Sequence, residues 1–271
     1  MADHSRAEKD SFRTRLLRGD RMLGTFIKSP TTHGIEILAD LGFDFVVVDQ
    51  EHGTFNPESV DAALLAARAG GIAGLVRVPA PEAFFIGPAL DAGADGVIVP
   101  HVANVGTARR VADLCRYKSG TRGFSAATRA GRYGGRSRWE HVTRSDEHVA
   151  FIAQIEDVEA LDQLGGIAAV PGLDCLFVGR GDLTVAMGLE SPNSPDMDAC
   201  VQSISAAAAE NGKAMCGYAA DMKEVTNLRA AGATLFVLSS DQGFMRREAT
   251  QNLSAWRALG PKDEVLSSPS G

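Results

Sequence analysis

A single (β/α)8 barrel of the α/β class is the fold this sequence predicts, on three observations. Eight short apolar runs alternate with stretches of helical period, the pattern of a parallel barrel more than of a six-stranded doubly wound sheet. Several runs end in charged or polar residues, and the C-terminal strand ends are where such folds keep their chemistry. The length, 271 residues, is near the ~250 of one such barrel and long enough to bury a full core. The expected architecture is therefore a TIM barrel in one domain over residues 19–260. A polar lead or short helix over 1–18 precedes it, and a flexible tail over 261–271 follows.

The elements follow in order. Met22–Ile27 is the first strand, and the Ser29-to-His33 stretch opens a helix with Ile35 and Leu38 on one face and Gly42 past its end. Phe45–Asp49 is a β-branched run that stops in Asp49, Glu51 and His52 before Gly53, as a buried parallel strand would. Asn56, Pro57 and Glu58 supply an N-cap, a first-turn proline and an acid at the positive end of the next helix. Val60, Leu64 and Ala67 form its buried face. Gly74–Val78 is strand three and carries Arg77, and a helix spans about Glu82 to Ala92. Strand four runs from Asp95 to His101, and helix four from Asn104 to about Tyr117.

Ser119 to His148 is the longest non-periodic stretch, rich in glycine and arginine, and loops of that length are usually functional. Val149–Ile155 is strand five, ending in Gln154, Glu156 and Asp157. Leu173–Val178 is strand six, ending in Gly179, Arg180, Gly181 and Asp182. An alanine-rich helix to Glu210 precedes strand seven, Ala214–Tyr218. A helix over Met222–Ala231 precedes strand eight, Thr234–Leu238, and a last helix covers about Gln242 to Leu259.

Composition narrows the function. A hydrophobic share of 45% with 23% charged residues is that of a globular protein. A net charge of -7 offers no footprint for nucleic acid or an acidic membrane surface. The partner is expected to be a small molecule. No apolar run reaches the ~18 residues of a membrane span, and the N-terminus lacks an apolar signal core. Cys115, Cys175, Cys200 and Cys216 are too scattered for a disulfide framework. A cytoplasmic protein with reduced, mostly buried thiols is expected. Gly179-Arg180-Gly181 lacks the third glycine of a dinucleotide fingerprint, and no Walker A sequence is present.

In a barrel, Asp49, Glu51, His52, Arg77, His101, Gln154, Glu156 and Asp182 converge on one mouth. Taken singly, Glu156 and Asp182 each read as the N-cap of a following helix. As a pair on adjacent strands they suit a hard divalent cation such as Mg2+. None of the predicted strands carries a lysine for Schiff-base chemistry.

Five motifs in this order, Asp49-x-Glu51-His52, Val76-Arg77-Val78-Pro79, Leu90-Asp91-x-Gly93, Gln154-Ile155-Glu156 and Gly179-x-x-Asp182-Leu183, resemble those of the HpcH/HpaI family of metal-dependent class II aldolases over roughly residues 20–250. The resemblance implies cleavage of a 4-hydroxy-2-oxo acid to pyruvate and an aldehyde, or the reverse addition, with Mg2+ or Mn2+ and possible use of Co2+. It assigns Glu156 and Asp182 to the metal, Gln154 and the Gly181 backbone to the pyruvate part, and Arg77 to the keto oxygen. It makes His52 the base, oriented by Asp49 and acting directly or through a water on the metal. It also implies a homo-oligomer, a hexamer built as a trimer of dimers, with Asp91 directed at a neighbour's site.

The chemistry is consistent with those roles. Breaking the bond β to a carbonyl leaves an enolate, whose charge a Lewis acid and a fixed cationic donor stabilise. A histidine beside a carboxylate can take the hydroxyl proton near neutral pH. His101 reads as a second acid/base or aldehyde contact, or as a structural hydrogen-bonding group. Phe26 reads as a wall of the cleft or as core. Arg122, Arg129, Arg132 and Arg136 either close over an anionic substrate or make a solvated subunit contact. Arg180, where family members commonly have a smaller or neutral residue, could bring a charge toward the substrate. Two alternatives use the same barrel: a citrate synthase-like, malyl-CoA or citryl-CoA type of carbon–carbon bond enzyme, and a barrel that only binds a dicarboxylate.

Overall fold

The structure, a computed structural model, describes residues 10–259. The expected tail over 261–271 and the first half of the expected lead lie outside the described residues. Eight parallel strands, β1 (Met22–Ile27), β2 (Phe45–Asp49), β3 (Ala73–Arg77), β4 (Gly96–Val99), β5 (Ala150–Ile155), β6 (Cys175–Val178), β7 (Ala214–Ala219) and β8 (Leu235–Ser240), pair in chain order. The barrel closes where Met22 and Leu23 of β1 meet Leu235 and Phe236 of β8.

Strand periodicity decides what reaches the mouth. Phe45, Val47, Leu75, Ile98, Ile152, Cys175, Cys216, Leu235 and Val237 pack together inside the barrel. The alternate residues Val46, Val48, Val76, Val97, Phe151 and Leu176 pack outward under the helices. Continuing the inward set by two residues along β2, β3 and β5 gives Asp49, Arg77 and Gln154. Their lumenal position is thus fixed by the alternation that builds the core.

The helices are α1 (Phe12–Arg18), α2 (His33–Asp40), α3 (Pro57–Gly70), α4 (Ala83–Asp91), α5 (Val105–Leu114), α6 (Arg138–His148), α7 (Val158–Leu161), α8 (Leu164–Ala168), α9 (Arg180–Ala186), α10 (Pro195–Glu210), α11 (Met222–Ala230) and α12 (Asp241–Ala258). The expected cap of α3 is present: the Asn56 side chain accepts from the Ser59 N–H at 2.8 Å, Pro57 opens the helix and Gly71 closes it at φ 73°. Helix α1, capped by Ser11, inserts Phe12 and Leu16 into the lumenal cluster, and the Phe12 ring meets Phe45 edge-on at 5.4 Å. It stoppers the end opposite the mouth.

The non-periodic stretch is shorter than expected. Its last third is α6, started by Ser137, whose hydroxyl accepts from the Glu140 N–H. This Ser-x-x-Glu start was present in the sequence, but the buried face includes His141 and Ser145 and so lacks apolar periodicity. All four cysteines are free and buried. Among the described residues, no helix is long and apolar enough to cross a membrane.

Candidate active site at the barrel mouth

At the ends of β2 and β3, register sets Asp49 opposite Arg77. The Arg77 Nε donates to Asp49 Oδ1 at 3.0 Å and Nη2 donates to Oδ2 at 2.7 Å. Asp49 is fully buried, and burial alone would raise its pKa. The two Arg77 bonds and charge, the His52 N–H and the Lys28 ammonium outweigh that and hold it below the usual carboxylate value. Phe26 lies against this pair, with the Arg77 guanidinium carbon 4.4 Å from its ring centroid. Phe26 is therefore both core and the seat of Arg77.

Asp49 does not orient the His52 ring as expected. It accepts the His52 backbone N–H at 3.1 Å, because its own oxygens are turned inward to Arg77. The imidazole, 53% exposed, has its Nε2 3.9 Å from Glu51 Oε2.

The second half of the site lies at β4 and β5. The Glu156 carboxylate, just past β5, accepts the His101 N–H at 2.9 Å and the Gln154 amide. That N–H bond accompanies an uncommon left-handed backbone at His101, φ 55°. His101 Nδ1 lies 3.2 Å from Asp157 Oδ1 and 3.5 Å from Glu156 Oε1. Burial would lower the His101 pKa, but Asp157 and Glu156 prevail and raise it. Burial pushes Glu156 up to about 7, and nearby Glu51 adds to the shift. Glu51 is raised for the same first reason.

Glu51, His101 and Glu156 each place a ligand-type atom within 4.8 Å of the others. Glu51 Oε2 lies 3.2 Å from Arg77 Nη1 but off the hydrogen-bonding axis, and it is buried without a hydrogen bond. Two carboxylates whose charged form is disfavoured by desolvation, buried Glu156 and half-buried Glu51 with an unsatisfied oxygen, beside an imidazole, fit a divalent cation.

The other expected residues are placed as follows. Asp182 stands exposed in the first turn of α9, and the group of ligand-type atoms within 4.8 Å of one another comprises Glu51, His101 and Glu156. Gly181 is exposed beside it. Gly179 packs on Glu156, where a Cβ would come within 2.6 Å of the Glu156 Cβ. Arg180 is tied along the rim of the mouth rather than left free: it bonds Glu224 at 2.7 Å and the Tyr218 carbonyl at 3.2 Å. Arg122 is no lid residue. It is 2% exposed at the far end of the barrel, tied to Asp91 at 2.9 Å and to Ser145 at 2.7 Å, with the Tyr117 ring 4.5 Å away. Asp91 accordingly faces away from its own mouth.

Sequence reading missed Lys28. Its Nζ lies 3.4 Å from Asp49 Oδ2. The signal was present: Met22, Phe26 and Lys28 share one parity, and that parity is lumenal.

A closed parallel barrel with a buried guanidinium–carboxylate pair and a cation-ready cluster at one mouth is the build of an enzyme acting on a small anionic carbonyl compound. The HpcH/HpaI aldolase/citrate lyase family model matches residues 22–247, and the chain belongs to this family. It is 33% identical over 254 residues to a hydroxypyruvate/pyruvate aldolase of Paraburkholderia phytofirmans, spanning 91% of this chain and 97% of that one. It is 32% identical to a 5-keto-4-deoxy-D-glucarate aldolase of Shigella boydii, spanning 81% and 85%. Among solved structures, citrate synthase SbnG superposes with a TM-score of 0.83 at 32% identity, covering 92% and 98%. The chain is an enzyme of the carbon–carbon lyase class, and the reading of a purely binding barrel falls away.

Proposed function

We propose that this enzyme reversibly cleaves a 4-hydroxy-2-oxo acid to pyruvate, or a related 2-oxo acid, and an aldehyde. The observation that supports this most is Arg77 Nη1 at 3.2 Å from Glu51, whose carboxylate lies within 4.8 Å of the ligand atoms of His101 and Glu156. It sets a fixed guanidinium beside the group able to hold a cation. Such a cation, Mg2+ or Mn2+, supplies Lewis-acid stabilisation of the charge developing on the 2-oxo group.

The residues divide the rest of the work. Asp49 clamps two of the three Arg77 nitrogens, which leaves Nη1 as the donor for the developing oxyanion without reorganisation. His52, open at the mouth, accepts the hydroxyl proton as the carbon–carbon bond breaks and returns a proton in the reverse direction. Gln154 steadies Glu156 by donating its amide, and the exposed Gly181 amide meets the substrate carboxylate. Glu156 and Asp182 hold the cation in this reading. Glu51 and His101 stand beside that ion, within 4.8 Å of the Glu156 ligand atom, and Asp182, open to solvent in the first turn of α9, is its second carboxylate.

Residues 19–260 form the catalytic unit, and buried unpaired thiols suit the reducing cytoplasm. The unit works as a homo-oligomer. Helix α12, 18 residues long, has no buried residue, and its Met245 and Trp256 are each 70% exposed. A second copy covers that face, in a hexamer built as a trimer of dimers, where Asp91 can approach a neighbour's mouth.

The test is C3 proton exchange on pyruvate followed by a panel of aldehydes. Exchange and cleavage should vanish with EDTA and return with Mg2+ or Mn2+. Activity that survives complete chelation overturns the metal-dependent reading. The likeness to a citrate synthase favours a second reading, addition of the same enolate-type carbon to a keto acid or acyl-CoA. Turnover of those acceptors, with no aldehyde accepted, would select it.

A further inference from the structure

The arginine-rich loop before α6 plays no part at this chain's own mouth. It lies at the opposite end, where a cavity of about 600 Å3 opens beside Asp44, Ala73, Asp95 and His148, each at or just before the start of a strand. Arg68 of α3 and Arg132 and Arg136 of the loop converge there. Neighbouring carboxylates are mostly committed elsewhere: Asp10 to Arg18, Asp44 to Arg15, and Asp61 to Arg129. Asp95 remains as counter-charge, accepting the Gly74 N–H at 2.9 Å, and Glu140 lies 3.8 Å from Arg136. Among the described residues, cationic groups outnumber the anionic ones left to face them. Burial and the charges of Arg144, Arg132 and Arg68 lower the Arg136 pKa, against which Glu140 works.

The loop is held so as to keep these groups together. Arg132 and Tyr133 both adopt left-handed backbone, φ 54° and 55°, a strained conformation that persists only where surroundings over-determine it. Bonds from Ala130 N–H to the Asp91 carbonyl and from Gly134 N–H to the Ala126 carbonyl pin the loop. Arg129 staples it to Asp61 on α3. Arg136 Nη1 donates to the Ala130 carbonyl at 2.8 Å, which aims the guanidinium.

We propose that this basal cavity is a second binding site, for a small polyanion carrying phosphate or carboxylate groups. Preset guanidinium forks match both chemistries, and the volume is that of a metabolite-sized pocket. The site is independent of the aldolase reading, because none of its residues is shared with the mouth.

The experiment is calorimetric titration of the full chain with inorganic pyrophosphate and with 1,2,3-propanetricarboxylate at constant ionic strength, paired with sedimentation. At least one probe should bind, and the one that does names the chemistry. Arg68→Gln/Arg136→Gln should weaken binding by about tenfold or more, and Glu156→Gln at the mouth should leave it intact. Arg132→Gln, at an exposed position, serves if the double variant does not fold. Absence of binding by both probes overturns the proposal. So does binding lost in Glu156→Gln but kept in the arginine variants. A change of oligomeric state in those variants with no anion dependence would make the cluster a subunit contact and overturn it equally.

Discussion

Arg77 and His52, at the ends of neighbouring strands, differ in setting as in role: one is buried and clamped, the other open. Arg77→Lys keeps a charge but loses the fork that Asp49 holds. It should reduce both pyruvate proton exchange and cleavage by on the order of 10²–10³-fold. His52→Ala should lower cleavage by ~10²–10⁴-fold while leaving Mg2+ affinity within a small factor, as titration calorimetry would read. A His52 variant whose only defect is metal loss would remove the base from the mechanism. Glu156 gives a separate test. Its folded pKa of about 7 lies above the ~4.3 of an unperturbed glutamate, so its contribution to stability is full below about 4.3 and lost as pH rises through about 7. His101, also raised, acts in the same sense. Chelator-treated protein should therefore melt at lower temperature at pH 8 than at pH 6, a slope that Glu156→Gln reduces. A flat profile in the chelated wild type would refute it.

At the scale of elements, much was legible because one rule, alternation along strands, fixed both core and site. Phe45 and Val47 pointing inward required Asp49 to do so, and Leu75 carried Arg77 with it. The Asn56-Pro57 start of α3 was equally readable, since the capping groups are local. What escaped reading was tertiary. Lys28 lies one residue beyond β1, and only the closed barrel brings it to Asp49. Arg122 and Arg180 looked available to a substrate, yet partners remote in sequence, Ser145 and Glu224, hold them in place. Gly24 was read only as part of a strand, but a Cβ there would collide with the Phe45 ring. Gly24→Ala should destabilise by about 1–3 kcal/mol, the usual cost of overpacking, measured by urea unfolding. A neutral result would mean the Phe45 ring and α1 beneath it can shift together.

For the whole molecule, the proposed subunit contact on α12 can be tested directly. Trp256→Asp on its exposed face should shift sedimentation toward smaller species without loss of helical signal. Unchanged assembly would place the subunit contact elsewhere. One further property follows from the closing pair of strands. Met22 of β1 finds its partner only in Leu235 of β8, so a ribosome has made nearly the entire chain before the ring can be joined. Until then β1 presents a row of unpaired amides and carbonyls on one flank of a growing, curved sheet, the kind of edge that recruits other chains. Synthesis halted before residue 235 should yield insoluble product however well the earlier strands have paired, and translation speed over the last quarter of the message then becomes a determinant of yield.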